Sequence, residues 1–267
     1  MKYTYACVLP VHIGITASQF KRSIESTVNQ CGSLISVYVV FDGPVVRPIR
    51  DQANALAKQH RNFKLITTEQ NQGLPSALNL AISHVREDYI FRMDADDENL
   101  PNRMENTIHY IERDHFDLIG GNILERYRNK EKVKAVPYDT LRLPQKIGYR
   151  NPFNHPTVCF SRSAFYECGG YNPKDKGFED YGLWLRFNGA RKNIGNVDEN
   201  WIASDYDRSL IRRRTGPEYA YNEARFLIRN LFNGHLKIWH IPYWILIRLP
   251  SRFTPSFLTH FIYQHLR

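Results

Sequence analysis

The segment Tyr89-Ile-Phe-Arg-Met-Asp94-Ala-Asp96-Asp97 runs an apolar stretch straight into three carboxylates. A short apolar run with an abrupt polar end reads as a buried strand delivering its last side chains to a loop. In extended backbone alternate side chains share a face, so Asp94 and Asp96 are expected on one side, facing one cation or one cation and a ribose. Carboxylate oxygens of this kind suit Mg2+ or Mn2+ held jointly with a diphosphate. An isolated DxD triplet is common in solvated loops; its place after a strand gives this one meaning.

Working outward, the first hundred residues alternate strand and helix signals. Residues 5–11 read as a strand and 18–30 as a helix with Phe20, Ile24 and Val28 on one stripe behind a Ser18 cap. Residues 34–41 form a β-branched strand that stops at Asp42-Gly43-Pro44, and 47–60 follow as a helix with Ile49, Ala53 and Leu56 inward. Strand 63–67, proline-opened helix 75–85 and strand 89–93 complete βαβαβαβ. This order predicts an α/β fold with a mainly parallel sheet, binding its ligands beyond the carboxyl ends of the strands. After a helix at 101–114 the rhythm becomes irregular, with short strands at 118–127 and 158–161 among Asn-, Pro- and Gly-rich loops suited to specificity.

A second acidic pair, Glu179-Asp180, precedes Tyr181-Gly182-Leu-Trp184-Leu-Arg186, which opens a helix. A carboxylate there serves either as a cap or as a general base. His155, between Asn154 and Pro156, reads equally as a ligand contact or as a hydrogen-bonded structural histidine. The run Arg212-Arg213-Arg214 is equally a phosphate clamp or a charged face.

The 267 residues suffice for a full core without disulfides, and Cys7, Cys31, Cys159 and Cys168 lack zinc-ligand spacing, as expected of a reduced cytosolic protein. The amino-terminal segment 1–14 suits a strand better than a secretory signal. Of the net charge of +9, most sits after Leu210, where nine cations face two anions among Trp239, Tyr243, Trp244, Phe253, Phe257 and Tyr263. Such a tail suits an anionic lipid surface, nucleic acid, or a basic helix packed on the preceding domain. The apolar stretch 238–247 is about half the roughly 20 residues that span a bilayer.

Five stretches in order resemble bacterial family 2 glycosyltransferases of the GT-A fold: Val8-Leu-Pro10-Val11, Val39-Val-Phe-Asp42-Gly43, Asn71-Gln-Gly73-Leu-Pro75-Ser-Ala-Leu-Asn79, Asp94-Ala-Asp96-Asp97 and Glu179-Asp180. The resemblance covers about residues 4–215. Asn151-Pro-Phe-Asn-His155-Pro-Thr157-Val and the basic tail are similar to enzymes that build exopolysaccharide, capsule and O-antigen units, including a group of galactosyltransferases. The resemblance implies a GT-A domain over 1–215, with a nucleotide-binding half to about 100 and an acceptor-binding half beyond, then a helical, membrane-associating tail over 216–267.

It also implies roles. Pro10, Val11, Asp42, Asn79, Asp94 and Ala95 would bind the nucleotide sugar, Asp42 through the uracil ring and Asp94 near the ribose or the metal. Asp96 would hold Mn2+ or Mg2+, and Asp180 would be the catalytic base. Glu179, His155, Trp184, Arg212 and Arg213 would lie on the acceptor or phosphate side. The implied reaction is inverting transfer of one hexose, galactose first among them, from a UDP-sugar to a lipid-diphosphate-linked sugar. It would take place at the anionic inner face of a bacterial plasma membrane.

Two other classes share part of this pattern. A sugar nucleotidyltransferase would share the sheet and the acidic metal site, but Pro10-Val-His-Ile-Gly14 offers no Gly-rich basic phosphate loop. A nucleic-acid-binding module would account for the basic tail and leave Asp94, Asp96 and Asp97 without a purpose, so no nucleic acid is expected.

Overall fold

Inside the parallel part of the sheet lies β1 (Tyr5–His12), where odd and even side chains bury into two different cores. Tyr5, Cys7, Leu9 and Val11 face one apolar cluster and Ala6 and Val8 the other, as the strand period of two requires. The computed structural model describes residues 2–32, 34–127, 130–139, 142–205 and 214–253.

On β1 pair β2 (Ile35–Asp42) and β4 (Tyr89–Arg92), both parallel, and β3 (Phe63–Thr67) extends the parallel set beyond β2. Helices α1 (Ala17–Cys31), α2 (Arg47–Gln59) and α3 (Leu74–His84) are the crossovers. The predicted Ser18 cap lies two residues late. Thr16 caps α1 in a reciprocal box, its hydroxyl accepting from the Gln19 amide while the Gln19 side chain accepts from the Thr16 amide.

Past β4 the sheet is mixed. The two-residue β5 (Glu98–Asn99), helix α4 (Arg103–Asp114), β6 (Leu118–Tyr127), β7 (Lys130–Lys134), β8 (Cys159–Ser161) and β9 (Ile194–Asp205) give the order β3-β2-β1-β4-β8-β6-β9-β5, with β7 on β6. β8 runs antiparallel to both β4 and β6, whereas β6 and β9 are parallel. The first four strands, β1 to β4, thus form the continuous parallel block that the βα alternation dictates, and β8, antiparallel to both β4 and β6, joins that block to the parallel pair β6 and β9.

Unequal strand lengths create the cleft. Val8 is level with Arg92 and His12 with Asp42, so β4 stops four residues short of its neighbours and leaves a notch at the carboxyl edge. The chain crosses that notch through residues 93–97 and is pinned again where Glu98 and Asn99 pair with Ala203 and Ile202 of β9.

The carboxyl-terminal part packs back on the domain. Between them lie α5 (Leu143–Lys146), α6 (Arg162–Glu167) and α7 (Glu179–Gly189), followed by α8 (Pro217–Phe232) and a run of short helical turns over 238–251. Phe226 of α8 stacks on Phe178 with ring centroids 5.1 Å apart, and the fully buried Glu223 accepts hydrogen bonds from Arg248 and Arg252. Among the described residues no helix is long and apolar enough to cross a membrane. All four cysteines are free and buried.

Candidate functional site

Asp94, Asp96 and Asp97 place carboxylate oxygens within 4.8 Å of one another. The extended backbone expected here is replaced by a turn, in which the Asp97 amide donates to the Asp94 carbonyl at 3.4 Å. The turn brings a third carboxylate into the group that alternation would have pointed away. Asp97 is 3% exposed, Asp94 partly exposed and Asp96 open to solvent. Helix α1 steadies the turn from behind, where Ser23 Oγ donates to the Asp94 carbonyl (2.7 Å) and Arg22 to that of Asp96 (3.2 Å). Ala95 is buried under it.

The charges are only partly balanced. Burial, then the charges of Asp94 and Asp96, pushes Asp97 well above the usual carboxylate range, against a hydrogen bond from Ser204. Asp96, although its surface is open, is also raised, by the partial enclosure of its carboxylate in the cleft and then by Asp94. Three hard oxygen donors that repel one another so closely fit a divalent cation, and no nitrogen or sulfur ligand joins them among the described residues.

Arg92, the last residue of β4, joins the acidic turn although no motif marks it. Its side chain is 3% exposed and forms an ion pair with Asp94, and its Nε atom has no hydrogen-bond partner among the described residues. Its charge also acts, as the smallest of the named influences, against the burial-driven rise of Asp180 and Glu179. A cation inside an apolar strand, directly before three acids, was the available signal, because a buried charge requires a partner.

Asp180 and Glu179 occupy the first turn of α7. Neither is the N-cap residue, which is Phe178. Asp180 Oδ1 accepts from the Tyr181 amide and Oδ2 from Asn151 Nδ2, both at 2.7 Å, which fixes the carboxylate plane. Burial raises its pKa, while the Tyr181 amide, Arg214 and Asn151 resist the rise. Glu179 accepts from the Gly177 amide at 2.8 Å and is pushed up to about 7 by burial and the adjacent Asp180 charge. This is an environment for a proton acceptor near neutral pH.

Pro10 and Val11 are buried in the last turn-ward residues of β1, beside Asp42 at the end of β2. The Asp42 carboxylate is 3% exposed and accepts from the amides of Gln72 (2.7 Å) and Gly73 (3.0 Å), locking the loop before α3. Gly43 makes that approach possible. Its φ is +85°, and a Cβ would lie 2.7 Å from the Asn71 nitrogen.

Three expected contacts turn out to have structural partners. The Asn79 amide both donates to the Tyr171 carbonyl (2.7 Å) and accepts from its nitrogen (3.0 Å), so it ties α3 to residue 171 instead of facing a nucleotide. Trp184 is fully buried among Phe153, Phe160 and Phe187, so it belongs to the core rather than to an acceptor surface. His155 contacts the Tyr171 hydroxyl through Nε2 at 2.9 Å, and burial, then Arg92, holds its pKa well below the usual value. It is therefore a neutral wall residue. Arg212 and Arg213 lie outside the described residues; Arg214 is described, and its charge acts on Asp180.

Over most of its length the chain is similar to known proteins. An uncharacterized glycosyltransferase of Haemophilus influenzae is 29% identical over 264 residues, covering 97% of each chain. A UDP-Gal:alpha-D-GlcNAc-diphosphoundecaprenol beta-1,3-galactosyltransferase of Escherichia coli is 24% identical over 97% of this chain and 95% of its own. Among solved structures, residues 1–349 of S. aureus TarS in complex with UDP superpose with a TM-score of 0.60 at 17% identity, covering 91% of this chain and 78% of that one, which is a likeness of fold. The model of glycosyl transferase family 2 matches residues 7–170, and with the GT-A-like mixed sheet and its acidic turn this makes the chain a glycosyltransferase of family 2.

Proposed function

We propose that this glycosyltransferase moves one hexose, galactose, from UDP-galactose to a GlcNAc- or GalNAc-diphosphate-polyprenol, with inversion, in the assembly of a bacterial surface polysaccharide. The observation that carries the reading is the Asp180 carboxylate, fixed by two donors, together with the close group of three carboxylates in the acidic turn. The name of the Escherichia coli relative, which states such a donor and acceptor, supports the choice of substrates. The UDP complex of the structural neighbour supports a uridine donor.

In this reading the acceptor hydroxyl oxygen attacks the anomeric carbon as the bond from that carbon to UDP breaks, and the hydroxyl proton passes to Asp180. One in-line displacement inverts the centre without a covalent intermediate. Pro10, Val11 and Asp42 receive the uracil, Asp94 and Ala95 border the ribose, and Asp96 with Asp97 would hold Mn2+ or Mg2+. Such an ion supplies positive charge against the departing diphosphate. Arg92 holds Asp94 in place and favours the ionised form of Asp180.

The tail supports a peripheral place on the inner face of the plasma membrane, where anionic lipid and a polyprenyl diphosphate meet. Ile238, Trp239, Ile245, Leu246 and Ile247 are each more than half exposed, with the exposed Lys237 beside them. Apolar side chains with basic neighbours suit the headgroup boundary.

The test uses the purified protein with a panel of nucleotide sugars, Mn2+ and a synthetic lipid-like GlcNAc-diphosphate. Product is expected from UDP-galactose; transfer from a different sugar nucleotide alone would overturn the donor assignment. Asp180→Asn should abolish transfer while UDP affinity persists, and retained turnover would remove Asp180 as the base.

A further inference from the structure

The carboxyl-terminal turns do more than offer an outer apolar face: their inner face reaches the carboxylate of Asp180 through a short chain of contacts. Trp244 is buried, and its Nε1 donates to the Gly148 carbonyl at 2.9 Å. Its ring stacks on Tyr181, the residue after Asp180, with centroids 6.1 Å apart and planes 24° from parallel. Tyr181 in turn donates its hydroxyl to the Ile147 carbonyl at 2.5 Å. Residues 147–149 are therefore gripped between α7 and the carboxyl-terminal turns.

The grip leaves no slack. A Cβ on Gly148 would come within 2.2 Å of the His240 ring, and Tyr149 packs edge-on against His240 (4.7 Å) and Tyr243 (5.4 Å). Two residues further on, Asn151 donates to Asp180 Oδ2 at 2.7 Å. The turns are themselves anchored, because Arg252 grips both oxygens of the buried Glu223 at 2.6 and 2.8 Å.

We propose that the turns over 238–251 are a built part of the base pocket, with Trp244 and Asn151 as positioning residues that hold Asp180 in its working orientation. The inference rests on Asp180 being the base. A hydroxyl proton is taken only across hydrogen-bond distance, and a displacement of about 1 Å at such a group costs on the order of a hundred-fold in rate. Asn151 acts on the carboxylate directly, and Trp244 acts on the backbone that delivers Asn151.

The experiment compares Asn151→Ala, Trp244→Phe and Trp244→Ala with the parent enzyme for kcat, donor KM, UDP affinity and melting temperature. Trp244→Phe keeps an aromatic ring against Tyr181 and loses the N–H with part of the indole area, so it tests positioning where Trp244→Ala fails to fold. Asn151→Ala is expected to lower kcat roughly 10-fold or more and Trp244→Phe roughly 3- to 10-fold, the loss expected from one hydrogen bond or its consequences. Donor KM and UDP affinity should stay within about two-fold. A kcat at the parent level in both, or a parallel loss of donor affinity, overturns the proposal. Asp180→Asn is run alongside. If it stays active, the base assignment itself fails; if it is dead while Asn151→Ala and Trp244→Phe are fully active, only the positioning role fails.

Discussion

The guanidinium of Arg92 meets the carboxylate of Asp94 from a side chain only 3% exposed, whereas Asp94 keeps 30% of its own in contact with solvent. The arginine is thus fixed by the protein and the aspartate by the arginine. Replacing Arg92 with Met leaves Asp94 and the buried Asp97 without their shared cation, which should cost on the order of 3 kcal/mol of stability and at least about 100-fold in transfer. Because Arg92 favours ionised Asp180, its loss should also move the acid limb of the rate profile to higher pH. Thermal melting and a kcat–pH series check both, and an unmoved acid limb would separate Arg92 from the base.

Glu179 should make the metal-free protein more stable in acid than in base. Its folded pKa is about 7 against an ordinary 4.5, so the folded state holds this proton more tightly than the unfolded chain does. That contribution is complete below about 4.5 and is lost as pH rises through about 7. Glu179→Gln cannot ionise. Above pH 7 it should exceed the parent in stability by on the order of 1–3 kcal/mol, with the difference closing towards acid. Melting curves at several pH values, with metal and nucleotide absent, give the comparison.

Asp42 is expected to act first on a loop and through it on the donor. Asp42→Ala removes the acceptor for the amides of Gln72 and Gly73, at about 1–3 kcal/mol for the buried donors left behind. UDP affinity should fall at least about 10-fold, and Asp42→Asn should recover only part of it, since an amide presents one acceptor oxygen where two are used. Isothermal titration with UDP measures this directly. Gly43→Ala should produce the same phenotype by a different cause, its Cβ meeting the Asn71 nitrogen in a left-handed backbone.

Membrane contact should be separable from turnover. Changing Ile245, Leu246 and Ile247 together to Ser alters exposed positions only and is expected to weaken sedimentation with anionic vesicles at least about 10-fold. Activity on a short, water-soluble acceptor should remain near the parent value. Undiminished sedimentation would leave the lipid-facing role without support.

The sequence was most readable where contacts are local. An apolar run ending in acids located β4 and the acidic turn, and the βα alternation located the parallel half of the sheet. The turn itself was hidden, because alternation along an extended strand predicts a pair of aspartates and the fold brings together three. Asn79 and Trp184 illustrate a different limit. Both sit close to motif positions, yet their partners, the Tyr171 backbone and an aromatic cluster, lie far along the chain. Arg92 was visible as a charge and not as a hub, since its relation to Asp180 spans the second, irregular half of the molecule.

For anyone wishing to handle this enzyme in solution, the two-sided carboxyl-terminal turns separate two kinds of engineering. Trimming the chain before residue 238 would discard the greasy exterior together with Trp244, and the product would dissolve well and misreport the enzyme's speed. Repainting Ile238, Ile245, Leu246 and Ile247 with polar side chains leaves the inward residues in register, because neighbours on one short helix answer to different masters.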